Sequence, residues 1–114
     1  MIVRLKDIEP KEVLKPKEGR GSLINFAYEV VTKFGGKIKM FSVIELKPDS
    51  KVGYHTHEND MEIYLMLDGK AIVNDNGVEE LLSPGDMLIT PKGESHSIEN
   101  KTNEPITFLA VIIE

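Results

Sequence analysis

Residues 55–69 read HTHENDMEIYLMLDG, and this stretch decides the fold class. Its second half, Ile63–Leu67, is an apolar run that is too short for a helix and ends at a turn containing Gly69. Its first half places His55 and His57 two positions apart, so on a strand both imidazoles point to the same face. We therefore predict a strand that presents two histidines, followed by a second, largely apolar strand.

The rest of the chain also reads as short strands separated by turns. Residues 22–34 and 37–46 are rich in β-branched and aromatic residues and flank a Gly35-Gly36 turn, which predicts a hairpin. No stretch shows helical periodicity, so the predicted fold class is all-β, a sandwich or a small barrel. Further turn sequences recur at Pro48-Asp49, Asp68-Gly69, Asn74–Gly77, Ser83–Gly85, Pro91–Gly93 and Asn103–Pro105.

The two ends of the chain bear on domain organisation and assembly. Residues 1–21 mix charged residues with two prolines and are expected to form an extended arm, whereas residues 22–114 form a single barrel domain. The runs Ile63–Leu67 and Ile106–Ile113 are apolar on both alternating faces, so a partner sheet, the arm or another subunit should cover the second face. We therefore expect a homodimer in which the arm or the outer sheet packs on a neighbour.

Composition narrows the possible partners and chemistry. The 114 residues include 14 Lys and Arg against 19 Asp and Glu, with no separate basic run, so no nucleic-acid partner is expected. No apolar run approaches the roughly 20 residues of a membrane-spanning helix, and Asp7 and Glu9 interrupt any apolar leader, so we expect a cytoplasmic protein without a membrane partner. Cysteine is absent, so any transition-metal chemistry must rely on the three histidines.

Those histidines and one acid form a candidate metal site. Glu62 begins an apolar strand, where a carboxylate is rarely buried unless it is paired or binds a cation. His55, His57, Glu62 and His96 together make a nitrogen and oxygen donor set typical of Mn, Fe, Co, Ni or Zn ions. A single histidine in a β protein is more often a surface or hydrogen-bonded core residue than a ligand, and the His-x-His spacing brings the two interpretations to about even.

The spacing of these residues resembles the two motifs of the cupin superfamily. The first is matched by His55-Thr56-His57, four residues, Glu62, six residues and Gly69; the second is matched by Gly85, five residues, Pro91, one residue, Gly93, two residues, His96, three residues and Asn100. On this basis the chain is identified as a member of the superfamily, similar to its small single-domain cupins. The first motif usually opens with a glycine where this chain has Asp49, so we expect the bend there to survive with different backbone angles.

The resemblance implies both a fold and a cofactor. The expected fold is a double-stranded β-helix, or jelly-roll, barrel of two antiparallel sheets. The expected cofactor is one divalent transition metal ion per chain, with Mn or Fe preferred and Zn, Ni or Co as alternatives. The motif glycines are expected to permit turns, and Asn100 to bond backbone groups at a strand end.

The resemblance also suggests a ligand. Small cupins that resemble oxalate decarboxylases carry a comparable glycine and arginine segment before the barrel, so a small carboxylate such as oxalate is expected to bind, with Arg20 as its partner. The competing interpretation, an exposed surface charge, carries about twice the weight for Arg20. Tyr64 and Met66 share the strand face of Glu62 and are expected to line the cavity, a placement that core packing explains equally well.

Three functions remain open at this point, because cupins include decarboxylases, oxidases, dioxygenases, isomerases, storage proteins and sensing domains. The first is a metal-dependent lyase or oxidoreductase acting on a small carboxylate, for which no catalytic residue or general acid can be named. The second is a non-catalytic, metal-dependent module that binds or senses a small molecule. The third is a storage or structural barrel that the ion only stabilises.

Overall fold

Two antiparallel sheets pack face to face in the structure, a computed structural model that describes residues 1–114. One sheet has six strands in the order β1-β2-β3-β10-β5-β8, and the other has four in the order β4-β9-β6-β7. This arrangement confirms the predicted all-β barrel of two antiparallel sheets. The strands are β1 Lys11–Leu14, β2 Ser22–Ala27, β3 Ile38–Leu46, β4 Ser50–Thr56, β5 Met61–Asp68, β6 Ala71–Asp75, β7 Val78–Leu82, β8 Met87–Thr90, β9 Ser95–Asn100 and β10 Ile106–Ile113.

The helical content is limited to three short 3₁₀ segments, Leu5–Asp7, Pro16–Glu18 and Glu29–Lys33. None of the helices has the length and apolar character needed to cross a membrane.

The core lies between the two sheets and follows the two-residue period of the strands. In β5 the side chains of Glu62, Tyr64 and Met66 are buried, while those between them are more exposed. The predicted common face of these three residues is therefore observed. Phe108 from the six-stranded sheet and Ile98 from the four-stranded sheet are almost fully buried in the same core. Burial of an apolar side chain of this size stabilises the fold by about 1.5–3 kcal/mol.

The first hairpin is present but shorter than the sequence predicts. Strands β2 and β3 pair antiparallel, from Leu23 opposite Leu46 to Ala27 opposite Ser42. Strand β2 ends at Ala27, however, where the composition predicts a strand reaching Phe34. The chain leaves the sheet there because the Val31 N–H donates to the Tyr28 carbonyl, which closes a turn, and residues 29–33 continue as a 3₁₀ segment.

The first 21 residues are partly regular. Strand β1 pairs antiparallel with β2 along the edge of the six-stranded sheet, and Arg20 forms an isolated bridge with Lys51 of the other sheet. This close crossing requires glycine, because a Cβ atom on Gly19 would collide with the Lys51 carbonyl oxygen. Residues 11–20 therefore connect the edges of both sheets within one chain.

Two features of the predicted motifs fix the turns around the barrel. Asp49 has a φ angle of 53°, in the left-handed region that glycine enters without steric cost. The bend therefore survives, but with an angle that a glycine also adopts and not with the different angle that we expected. Asn100 is fully buried, and its amide donates to the carbonyls of Leu46, Lys47 and Glu104. The predicted backbone-bonding role of Asn100 is thus confirmed.

Candidate metal centre

Four side chains converge between the two sheets. His55 lies on β4, Glu62 on β5 and His96 on β9, and His57 directly follows β4. His55 and His96 are opposite one another in the register of β4 and β9. One nitrogen or oxygen atom from each of the four residues lies within 4.8 Å of the others. The structure therefore brings together all four residues that the sequence nominated as metal ligands.

The donor atoms are crowded around one small volume. An oxygen of Glu62, Oε1, lies 2.9 Å from Nε2 of His57 and 3.1 Å from Nε2 of His96. The two Nε2 atoms are themselves 3.1 Å apart. Glu62, His57 and His96 are buried, and His55 is partly exposed. The site is thus largely shielded from water, with His55 on its open side.

The outer nitrogen of each imidazole is held by another group. Nδ1 of His55, His57 and His96 lies 2.6, 2.8 and 2.7 Å from the Gly53 carbonyl, the Asp60 carboxylate and the Thr90 hydroxyl. A carbonyl or an ionised carboxylate only accepts hydrogen bonds, so Nδ1 of His55 and His57 carries the proton. The Nε2 atoms of these two rings therefore face the cluster and can present a lone pair to a cation, which is the arrangement by which metal-ligating histidines are usually oriented.

The electrostatics of the cluster call for a cation at its centre. The hydrogen bond to Glu62 raises the pKa of His57. Burial alone would raise the pKa of the Glu62 carboxyl, but hydrogen bonds from His57 and His96 outweigh it and hold that pKa below its usual range. Burial lowers the pKa of His55, which keeps that ring neutral. A proton can satisfy only part of such a set, whereas a divalent transition metal ion can accept all four donors. The residues therefore fit a metal ion.

A cavity of about 480 Å³ opens beside this cluster and is lined by His55, His57 and Glu62. Tyr64 also lines it, and the Tyr64 ring stacks on His96 with ring centres 4.7 Å apart. Burial raises the pKa of Tyr64 well above its usual value, so its hydroxyl stays protonated. Met66 is almost fully buried in the core and does not line the cavity. Met66 thus shares the strand face of Tyr64 but lies away from the cavity, contrary to the expectation that both residues would line it.

Arg20 lies outside this cavity, contrary to the ligand-binding role predicted for it. Its guanidinium donates to the Asp49 carboxylate at 3.2 Å and to the Glu99 carboxylate at 2.6 Å. The hydrogen bond to Glu99 raises the pKa of Arg20. Glu99 alternates with the inward-facing residues of β9 and so lies on the outer face of the four-stranded sheet. Two carboxylates therefore occupy the guanidinium away from the metal cluster, and spacing along the chain gives no sign of that pairing.

Sequence reasoning missed the two lysines that line the cavity, Lys17 and Lys39. Nζ of Lys39 lies 2.9 Å from Oδ2 of Asp60, whose other oxygen holds His57. Burial alone would raise the pKa of Asp60, but the bonds from Lys39 and His57 bring it below its usual range. Asp60 lies three residues after His57, so its role was detectable from the sequence. Lys39 was not detectable, because only the pairing of the strands brings it near.

Comparison with known proteins identifies a matching family model, a similar protein and a similar crystal structure. A family model described as "Cupin domain" matches residues 42–112. A Thermotoga maritima protein described as "Oxalate-binding protein" is 38% identical over 113 residues, which cover 99% of this chain and 93% of that protein. The crystal structure of a predicted oxalate decarboxylase from the same organism matches with a TM-score of 0.90 and 37% identity, covering 99% of this chain and 98% of that one.

A more distant structure shares the fold alone. It is the crystal structure of a Silicibacter pomeroyi protein described as a sugar phosphate isomerase from a cupin superfamily. It matches with a TM-score of 0.82 and 22% identity, covering all of this chain and 76% of that one.

Proposed function

Because the chain belongs to the cupin domain family, we propose that it binds one divalent transition metal ion and, at that ion, a small carboxylate such as oxalate. The observation that carries the proposal is the convergence of His55, His57, Glu62 and His96. When bound, such an ion supplies a Lewis-acidic centre whose remaining coordination positions suit carboxylate oxygens. The nitrogen and oxygen donors suit Mn, Fe, Co, Ni or Zn, and the resemblance to cupins makes Mn or Fe the preferred ion.

The ligand assignment has support from the relatives and from the charge of the bound ion. The similar Thermotoga maritima protein is described as binding oxalate. Within the cavity, Lys39 is paired with Asp60, and Lys17 and Glu58 add one charge of each sign. The positive charge that attracts an anion and raises its local concentration is therefore that of the bound ion itself.

The residues around the ion favour binding over decarboxylation. Decarboxylation of oxalate breaks its carbon–carbon bond, and the carbon that keeps its carboxylate must then take up a proton from an acid. Asp60 is a poor acid because Lys39 and His57 hold its pKa down, and burial holds the Tyr64 hydroxyl in its protonated form. We therefore propose a binding module as the main function.

One observation supports catalysis as the second candidate. Glu58 lines the cavity and forms no hydrogen bond or ion pair. It is the carboxyl group best placed to deliver a proton to a ligand in the cavity, because Glu62 belongs to the metal cluster and Asp60 is paired.

One experiment separates these two functions. Metal content is measured by elemental analysis, and binding of ¹³C-oxalate is measured by calorimetry on the Mn-loaded and the chelator-treated protein. We expect one ion per chain, oxalate binding only with the ion, and no ¹³C-formate by NMR. Formate that forms with the unmodified chain and disappears in Glu58→Gln, while oxalate still binds, would instead establish the decarboxylase. Oxalate binding that is independent of the metal, or a chain that takes up no metal, would overturn the proposal.

We further propose that the chain forms a homodimer through the outer face of the six-stranded sheet. Cross-strand register places two apolar rows on that face: Phe26, Val43, Leu109, Leu65 and Met87; and Phe41, Val111, Ile63 and Ile89. Met87 and Ile89 are each 50% exposed. On the outer face of the other sheet the corresponding register pairs Lys51 with Glu99. Only the six-stranded sheet therefore presents an outer face without charges at its centre.

The charge pattern of this face suits a second copy. Five strands spaced by about 4.8 Å span roughly 20–25 Å, and two rows of side chains cover about 14 Å along the strands, so the two rows project to an area on the order of 300 Å². A standard interface buries roughly 800 Å² per partner, so residues around the two rows must extend the contact. Residues near the axis of a two-fold interface lie close to their own symmetry mates, so a charge-free centre avoids repulsion there.

Sedimentation tests this assembly directly. We expect the unmodified chain to be a dimer at micromolar concentration and Ile89→Lys to be a monomer. The matched control is Leu81→Lys, which places the same charge at an exposed apolar position on β7 of the other sheet and should leave the dimer intact. A monomeric unmodified chain would refute the assignment.

A further inference from the structure

The cavity beside the metal cluster is much larger than oxalate requires. Its volume of about 480 Å³ lies within the range of about 300–1,000 Å³ that encloses drug-sized ligands. Oxalate consists of two carboxylate groups and has no further substituent. A metal-bound oxalate would therefore leave most of this cavity in contact with water.

The wall formed by the six-stranded sheet is built for apolar contact. It is lined by Leu23, Ile44, Phe108, Ala110 and Ile112 from β2, β3 and β10. Contacts of this kind favour a ligand that carries hydrocarbon, because each buried methylene adds to the affinity. The metal cluster and this wall come from different strands, so the cavity joins a charged end to an apolar region.

One polar group interrupts the apolar wall. Asn25 lies on β2 directly opposite Ile44 of β3, and its side chain lines the cavity. Its amide oxygen Oδ1 is buried and has no hydrogen-bond partner in the protein. Buried polar atoms are nearly always paired, and an unpaired acceptor destabilises the fold. An asparagine in this position is therefore explained by a hydrogen-bond donor that the fold itself does not supply.

From these observations we infer that Asn25 is a specificity-determining residue, and that the ligand is a carboxylate larger than oxalate, with an apolar body and a hydroxyl group that donates to Asn25 Oδ1. The inference rests on the proposed function, because the carboxylate end is assigned to the metal ion. It extends that function from a bare dicarboxylate to a class of amphipathic carboxylic acids. The apolar body occupies the wall between the metal cluster and Asn25.

A ligand series tests the size of the ligand. The probes are oxalate, pyruvate and unbranched 2-oxo acids of increasing length, titrated into the full Mn-loaded chain by calorimetry. We expect the dissociation constant to fall about fourfold with each added methylene until the wall is covered. Ala110→Leu, which fills the cavity from β10, should abolish this gain. If the longer acids bind no more tightly than pyruvate, the inferred ligand class is wrong.

A second comparison tests Asn25. Two 2-oxo acids of equal length, one ending in a hydroxyl and the other in a methyl group, are compared at the length that binds best. The unmodified chain should favour the hydroxyl by about tenfold, and Asn25→Leu, of similar volume, should reverse the preference. Ser42→Ala is the matched control, because Ser42 Oγ is also buried without a partner but does not line the cavity. It should keep the preference for the hydroxyl.

The outcomes for the two proposals are distinguishable. Oxalate binding and metal content are measured first in the unmodified chain and in every variant. An unmodified chain that binds neither the metal nor oxalate would refute the proposed function. Normal metal content and oxalate binding, combined with a hydroxyl preference that survives in Asn25→Leu, would overturn the role of Asn25 alone. If Asn25→Leu fails to fold, Asn25→Ala replaces it and is compared with Ser42→Ala in the same way.

Discussion

Replacement of His96 by alanine should abolish the stabilisation that a metal ion gives to this protein. His96 is fully buried, its ring stacks on Tyr64, and its Nδ1 bonds to Thr90. The substitution therefore removes one of four metal ligands and also damages the core. The two effects must be separated, because the second lowers stability whether or not a metal is bound.

The magnitudes show how they separate. At a free metal concentration 100 times its dissociation constant, the ion adds about 2.7 kcal/mol to the free energy of unfolding. If loss of one ligand weakens binding by about 100-fold, that contribution falls to about 0.4 kcal/mol. For a chain of this size 1 kcal/mol corresponds to about 4 °C in melting temperature, so the metal-induced increase should fall from about 10 °C to about 2 °C. The core damage, about 2–4 kcal/mol, lowers both melting temperatures and cancels from the difference.

The assay is differential scanning calorimetry with and without Mn, combined with elemental analysis. His55→Ala provides a second test, because His55 is partly exposed and makes one backbone hydrogen bond, so its loss should cost less in folding. Tyr54→Ala is the control, since Tyr54 is adjacent to His55 in sequence and its side chain is half exposed. A full metal-induced increase and normal metal content in both histidine variants would refute the ligand set.

Three further outcomes are expected. The metal-induced increase in melting temperature should grow between pH 5.5 and 7.5. The raised pKa of His57 stabilises the metal-free fold at low pH, and this stabilisation is lost as pH rises, whereas the ion binds only neutral imidazoles. An increase that is constant with pH would contradict this. Asp60→Asn should weaken metal binding about tenfold in a chelator competition without changing the stoichiometry, because Asp60 holds Nδ1 of His57; unchanged affinity would show that this bond does not tune the site. Arg20→Gln should leave oxalate affinity unchanged by calorimetry, because two carboxylates outside the cavity bind its guanidinium; a large loss would restore Arg20 to the ligand site.

The metal cluster was predictable in two steps. His55 and His57 share a face through the period of a strand, which is local information. His96 meets His55 through pairing of β4 with β9, and it was predicted from the resemblance to the cupin motifs. Most turns were predictable because each depends on a few adjacent residues. The hairpin turn at Gly35-Gly36 is an exception, because β2 ends at Ala27 and a 3₁₀ segment follows it. The left-handed backbone of Asp49 was not predicted either.

The features that escaped prediction depend on pairing between distant strands. Lys39 reaches Asp60 across 21 residues of sequence, and Arg20 reaches Glu99 across 79. A long, flexible lysine or arginine side chain can extend in several directions from its strand, so the tertiary structure decides which carboxylate it pairs with. The end of β2 at Ala27 escaped for a related reason, because residues with high strand propensity left the sheet to form a 3₁₀ segment.

The metal ligands and the apolar cavity wall come from different strands, and this has a functional consequence. Metal ligands come from β4, β5 and β9 and from His57, whereas most of the apolar cavity wall comes from β2, β3 and β10. A substitution such as Ala110→Leu can therefore change which ligand fits without replacing a metal ligand. The same separation explains physically how one barrel can serve several reactions, since the ion is held by one set of strands and its ligand is selected by another. In this chain, β2, β3 and β10 place Asn25 among apolar side chains of the cavity wall. Substitutions in this wall are therefore the ones that should reveal which ligand the protein binds.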